Sequence, residues 1–348
     1  MCVYYNKTKQ KENSLIEMNG GSTWVKSQLY MGRTTASSQK SQWCRLVMNG
    51  GSFATAGNMH FAYSNTANKA YVDLNGGVLT CSNTLYAAYR GGNDVTVRLN
   101  PNGMFRCNAY AATAAGSTTR FYGNGGTFRP LCRTTAAQTM AAGIFTHLYA
   151  STNGLVVDTS ETLNGAPFTM AQAILHDPDC AGAAGGLVKR GAGLLTLTGA
   201  NTYTGMTRVE GGVLALSGAG TLGGGLSVAN GAICDLGGTA QAVGDVVASG
   251  LVRNGTLTVG GTLIATANDI LSVYGDLALA NTAAVDFAAV SDADLVAGVP
   301  LAAVSGTATL PNKAPALNAG NVSNVVFKQM DNVIYAVQAP SGTTIIIK

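Results

Sequence analysis

An Asn-Gly or Asn-Gly-Gly element recurs through the first half of the chain, at Asn19, Asn49, Asn75, Asn102, Asn124 and Asn153. The steps between them run from roughly 20 to roughly 30 residues, the length of one solenoid unit. Asn and Gly both tolerate a left-handed backbone, so each pair marks a sharp corner. A unit of recurring length with a corner is the signature of a stacked architecture. One such unit cannot cover its own apolar face, whereas stacked units bury it continuously.

Residues flanking the corners align. Leu46, Val72, Leu99 and Phe121 stand three before the Asn. Thr23, Phe53, Leu79, Phe105 and Phe128 stand two after the last Gly, and Val25, Thr55, Cys81, Cys107 and Pro130 four after it. Strand alternation puts the last two sets on one side, as inward columns. A further aromatic column is expected from Tyr30, Phe61, Tyr86 and Tyr110. Cys81 and Cys107 hold equivalent positions, either as small apolar filler or as a bonded pair.

After an interruption the pattern resumes between residues 186 and 216, as three short strands between glycine turns. Within it the block GAGLLTLTGANTYTG, residues 191–205, resembles the autotransporter-associated β-strand repeat of bacterial surface proteins. The Gly, Asn, Tyr and Thr spacings all agree. The resemblance implies coils of a parallel β-helix in an exported passenger domain, and it brings no catalytic residues. Gly212, Gly231 and Gly255 each open a further corner-plus-strand unit, which places Leu214, Ile233 and Leu257 in one inward column.

The expected fold is therefore all-β: a single elongated parallel β-helix, right-handed by the usual hand of parallel connections. Residues 1–18 form an unpatterned start, 19–133 the Asn-Gly coils, 134–184 an irregular junction, 185–265 the repeat coils, and 266–348 the final coils with a capping hairpin. Residues 166–175 are the best helix candidate, stopped by His176-Asp-Pro-Asp179. The hairpin is read in residues 325–337, around a Met-Asp-Asn turn.

Composition limits the function classes. Charged residues are 11% of the chain and hydrophobic residues 47%, which argues against disorder. No run of 18 apolar residues exists. The first 13 residues have no apolar core, so a secretory signal is not read there; for an exported family this suggests a chain cut from a longer precursor. Nothing after Leu216 reads as a series of membrane β-barrel strands. The address expected is extracellular or cell-surface.

Chemistry is sparse. The seven cysteines contain no C-x-x-C pair, and His60, His147 and His176 are far apart, so no metal or cofactor is expected. Only four Glu are present, and the densest Asp groups are Asp177/Asp179 and Asp292/Asp294, which read as turns. Glycoside cleavage usually needs two carboxyl groups facing one cleft, and no such pair is evident. The expectation is a structural or adhesive surface protein; the alternative is a carbohydrate-active β-helix of lyase or hydrolase type.

Charge is distributed unevenly. Residues 1–150 carry 14 Lys and Arg against 4 Asp and Glu, while residues 151–348 carry 7 against 13. Arg45, Arg98 and Arg120 each stand four residues before a corner Asn, and Arg106 and Arg129 three after a corner Gly. Alternation turns all five outward, with Arg98 beside Arg120 and Arg106 beside Arg129. Close like charges call for an anionic partner, nearby carboxylates or full solvation. Contact with an anionic polysaccharide through guanidinium groups is the binding hypothesis. Nucleic acid is not expected, since the aromatic columns point inward.

Overall fold

The computed structural model describes residues 5–6, 14–34, 43–63, 68–133, 136–162, 165–180, 185–247, 249–265, 270–287, 298–319 and 324–338. Residues 1–4 and 7–13, Asp292, Asp294 and the tail 343–348 lie outside these. The described residues form strands and no α-helix, and nearly all the strand pairing is parallel. Contacts divide the chain into two compact units: residues 1–205 with 216–223, and residues 206–215 with 224–348.

In the first unit the coils as far as Asn153 run through a strand, an Asn corner and a second strand. Trp43–Thr55 spans one corner whole: its first half pairs with Lys69–Leu74 and its second with Gly77–Tyr86. Before the corner, Leu46, Val72, Val97, Phe121, Leu148 and Ile174 are successive register partners, all buried. After it, Thr23, Phe53, Leu79, Phe105 and Phe128 stack as expected, as do Val25, Thr55, Cys81, Cys107 and Pro130.

The corners are held by an asparagine ladder. Each side-chain amide donates to the carbonyl oxygen of the Asn one coil earlier: Asn49 to Asn19 at 2.8 Å, Asn75 to Asn49 at 2.9 Å, Asn100 to Asn75 at 2.8 Å, Asn124 to Asn100 at 3.2 Å and Asn153 to Asn124 at 3.0 Å. The fourth corner is thus Asn100, not Asn102. Asn102 instead takes the left-handed conformation, at φ 68°, that Gly51 and Gly77 take at their corners. A Cβ on Gly77 would lie 2.4 Å from the carbonyl oxygen of Gly51, so the coils approach too closely there for any side chain. Moving the corner shifts Leu99 out of the first column: it partners Leu74 and Gly123, and Val97 takes its place.

Four further expectations are corrected. The aromatic column is mixed: Tyr30, His60 and Tyr86 share one row, whereas Tyr110 partners Leu85 in the adjacent inward row, and Phe61 belongs to neither. A slip of one residue exchanges the two faces of a strand. The stretch 166–175 is not helical. Phe168–Met170 and Ile174–His176 are strands, with Phe168, Met170 and Ile174 buried, and Phe168 sits in register between Gln138 and Leu195. Helical periodicity there loses to a ready-made parallel neighbour on each side. The interval 134–184 accordingly carries strands in register, and Ser14–Met18 already pairs with Cys44–Met48 inside the start that reads as unpatterned.

The second unit has shorter coils. Leu226, Val246, Leu263 and Val285 are successive register partners. The fourth correction falls here. Leu214 partners Cys234, then Val252 and Val273, all buried; Ile233 is half-buried beside Val213 and Leu251. An extra residue in the turn, where the Ala232 amide bonds the Ala229 carbonyl, displaces Ile233 by one position. Leu257 is buried, but in a different row, between Gln241 and Leu277. Asn324–Met330 and Val333–Gln338 form an antiparallel hairpin that also pairs with Val299–Val304.

Candidate functional site

The outward face before the Asn corners gathers most of the chemistry of the first unit. One row of register partners reads Arg45, Tyr71, Thr96, Arg120 and His147. The next reads Val47, Asp73, Arg98, Tyr122 and Tyr149. Inward positions of the same strands hold the apolar column, so this side of the strand is left to polar and aromatic groups.

Each of the five arginines meets a carboxylate. Asp73 accepts from Arg45 at 2.7 Å and from Arg98 at 3.4 Å, and its side chain is only 6% exposed. Arg120 bonds Asp94 at 2.7 Å. Beyond the corner, Arg106 and Arg129 are register partners, as expected. Arg129 bonds Asp158 at 2.6 Å and Glu161 at 2.8 Å, and Glu161 also accepts from Arg106. Arg98 and Arg120 do not form the ladder expected of them; they sit in adjacent rows because the corner is Asn100.

Nearby carboxylates therefore answer the like-charge problem. Burial would raise the Asp158 carboxyl, but the Ser160 amide and the Arg129 guanidinium outweigh it and hold it below its ordinary value. Glu161 is likewise partly buried, and Arg106 and Arg129 hold it down. Two positive charges share Asp73, whereas Arg106 and Arg129 face two carboxylates.

Aromatic rings also reach this surface, which the inward columns of the sequence do not suggest. Arg98 lies over the Tyr122 ring at 5.6 Å, within the reach of a cation–π contact. Tyr122 meets Tyr149 at 5.1 Å, and His147 stacks on Tyr149 at 5.5 Å. Burial pushes both phenols up, so they stay neutral donors. No common spacing in sequence links the three: Arg98 and Tyr122 stand two before Asn100 and Asn124, whereas Tyr149 stands four before Asn153.

A second aromatic group flanks the third strand of the early coils. His60 is stacked between Tyr30 at 4.8 Å and Tyr86 at 4.6 Å, and Tyr63 stacks on Tyr89 at 4.9 Å. Its rings lie face to face along the stack, so most of their faces are already occupied.

The acidic turn 176–179 is built around Asp177, which accepts from the Ser151 hydroxyl at 2.5 Å and from the Asp179 amide at 3.1 Å. Among the described residues no three His, Cys, Asp or Glu side chains converge as a metal site requires. Among them, too, no helix is long and apolar enough to cross a membrane.

Inside the block 191–205 the structure accounts for the leucine, Asn201 and Tyr203 positions. Leu195 and Leu197 are buried, while Leu194 and Thr196 are half-buried. Asn201 accepts from the Ile174 amide at 2.9 Å and donates to the Thr221 carbonyl at 2.9 Å, joining turns on either side. Tyr203 is buried, and a Cβ on Gly223 would strike its ring. No curated protein and no solved structure matches the chain. Residues 187–216 match the passenger-associated-transport-repeat family, over the same segment whose sequence resembles the autotransporter-associated repeat.

Proposed function

We propose that this is a passenger-type β-helical protein of a bacterial surface or secreted layer, structural and adhesive in role, which contacts an anionic polysaccharide along the face before the Asn corners. Right-handed winding of the coils and a capping role for the C-terminal hairpin are part of that reading. The observation that carries it is the shared carboxylate: Arg45 and Arg98 stay about half exposed, at 48% and 46%, with one Asp73 between them. Their surplus positive charge borders Tyr71 and Tyr122, which offer apolar surface to a sugar ring. Arg106 and Arg129 are matched by Asp158 and Glu161 and add no net charge, so the contact narrows from five arginines to Arg45 and Arg98, with Arg120 beside them.

The experiment is retention on immobilised heparin-like and lipopolysaccharide matrices across a salt gradient. Wild type should be retained at low salt and released as salt screens the contact. Replacing Arg45 and Arg98 by Ser should abolish retention, and replacing Arg106 and Arg129 should not. Retention equal in all three proteins, or absent at low salt, would remove the reading. The carbohydrate-active alternative has its own readout: reducing-end release from acidic glycans that vanishes with Asp177→Asn would put it in place of adhesion.

A further inference from the structure

Cys81 and Cys107 are direct register partners on neighbouring parallel strands. Their neighbours Leu79 with Phe105 and Thr80 with Arg106 keep the same register, so both thiols project to the same inward side. Partner strands lie about 4.8 Å apart, inside the Cα separation of about 4.4–6.8 Å that a disulfide spans. Both side chains are wholly buried. Of the other buried cysteines, Cys44 faces Ala70, Cys234 faces Leu214 and Val252, and Cys132 lies two residues past Pro130, which is itself the partner of Cys107.

We propose that Cys81 and Cys107 are a disulfide site that staples two successive coils, closed by exchange with an external disulfide oxidant when the chain folds outside a reducing compartment. The thiolate of either cysteine attacks one sulfur of the external disulfide, giving a mixed disulfide and releasing one thiolate. The other cysteine then attacks the protein sulfur of that mixed disulfide, forming the Cys81–Cys107 bond and releasing the second. The protons of the two protein thiols end on the two released thiolates, and the external disulfide is reduced by two electrons. The pair is sealed once the coils close, so the exchange belongs to folding rather than to the finished protein.

Peptide mapping of the full chain, refolded once with oxidised and once with reduced glutathione, tests this. Oxidative refolding should give a peptide linked through Cys81 and Cys107, lighter by two hydrogens, and a melting temperature about 5 °C higher that dithiothreitol reverses. Cys81→Ala and Cys107→Ala should each lose the link and the oxidant-dependent rise. Two thiols still open to alkylation after oxidative refolding and denaturation, or a link from either to another cysteine, overturn the site. A link without any rise in melting temperature overturns the staple. The map is read on wild-type protein, so it decides even if a variant fails to fold.

Discussion

The two units solve the same burial problem with different outer layers. In the first, the successive partners Leu46, Val72, Val97, Phe121 and Leu148 are each one long coil apart. A coil of roughly 25 residues leaves room for an Asn corner, a charged strand face and a third strand. In the second, Leu226, Val246, Leu263 and Val285 follow one another at shorter steps. Coils of roughly 20 residues have less room for such additions. No run of Asn side chains bonds coil to coil there among the described residues. A guanidinium–carboxylate pair of that unit joins Arg253 to Asp235, at 2.8 Å with Arg253 44% exposed. Apolar columns are common to both units. The asparagine ladder and the five paired arginines distinguish the first.

The largest expected effect tests what is shared. Phe105→Ala should cost the first unit about 3–5 kcal/mol, the range for deleting a buried aromatic ring, read by chemical denaturation. The half-buried Ile233 of the second unit should lose only about 1 kcal/mol on truncation to Ala. Equal losses would mean that the Leu214–Cys234–Val252 register is wrong.

Next comes Lys189, fully buried in the first unit with its amine donating to the carbonyls of Arg190 at 3.0 Å and Gly191 at 2.8 Å. Burial lowers its pKa from 10.5 to about 8. Below pH 8 the amine is charged both folded and unfolded, and the folded state bears the cost of burying it. Between about 8 and 10.5 the unfolded chain holds a proton that the folded one lacks, so stability rises with pH. Lys189→Met should therefore be more stable than wild type near neutrality, by up to roughly 3 kcal/mol, with the gap closing toward pH 10.5. A gap independent of pH in parallel thermal melts would refute this.

The charged cross-links come third. Arg129→Ser strands Asp158, 11% exposed, and half of the Glu161 contact, and should cost about 1–3 kcal/mol. Arg253→Ser in the second unit should cost under about 1 kcal/mol, as exposed pairs do. The acid dependence follows the same division. Asp158 and Glu161 have folded values below their ordinary 3.8 and 4.5, so their contribution is complete above that range and is lost as pH falls through the lowered values. Hydrogen exchange resolved by segment should show the strands around residues 104–107 and 127–130 loosening in acid before those around 226–228. The reverse order would break the comparison.

The smallest effect belongs to the corners. Asn75→Ala removes a donor to Asn49 and an acceptor from Asn100, both at the surface, and should cost about 1 kcal/mol. Gly77→Ala at the same corner should cost more, because its φ of 74° and the Gly51 carbonyl at 2.4 Å leave no place for a Cβ. If the two substitutions cost the same, the ladder carries more than hydrogen bonds.

The sequence by itself determined the class of fold. Asn-Gly spacing and alternation sufficed to stack Phe53, Leu79, Phe105 and Phe128, and to put Arg106 beside Arg129, because corner chemistry and strand period are local properties of the chain. The same patterns failed wherever a turn held one or two extra residues. Asn100-Pro-Asn102-Gly103 offers two possible corners, and the turn before Ile233 is one residue longer than its relatives. A shift of one residue reverses a strand's faces, and only contact with the neighbouring coil selects between them. Residues 168–176 have helical spacing, but strands on both sides supply hydrogen-bond partners that an isolated segment lacks, so tertiary pairing overrides propensity. The face with Arg98, Tyr122 and Tyr149 was likewise out of reach. Its members are a whole coil apart in sequence, and only register makes them neighbours. Asp73 is as remote along the chain, a coil away from Arg45 and from Arg98, and the stacking of coils is what brings one carboxylate within reach of two guanidinium groups.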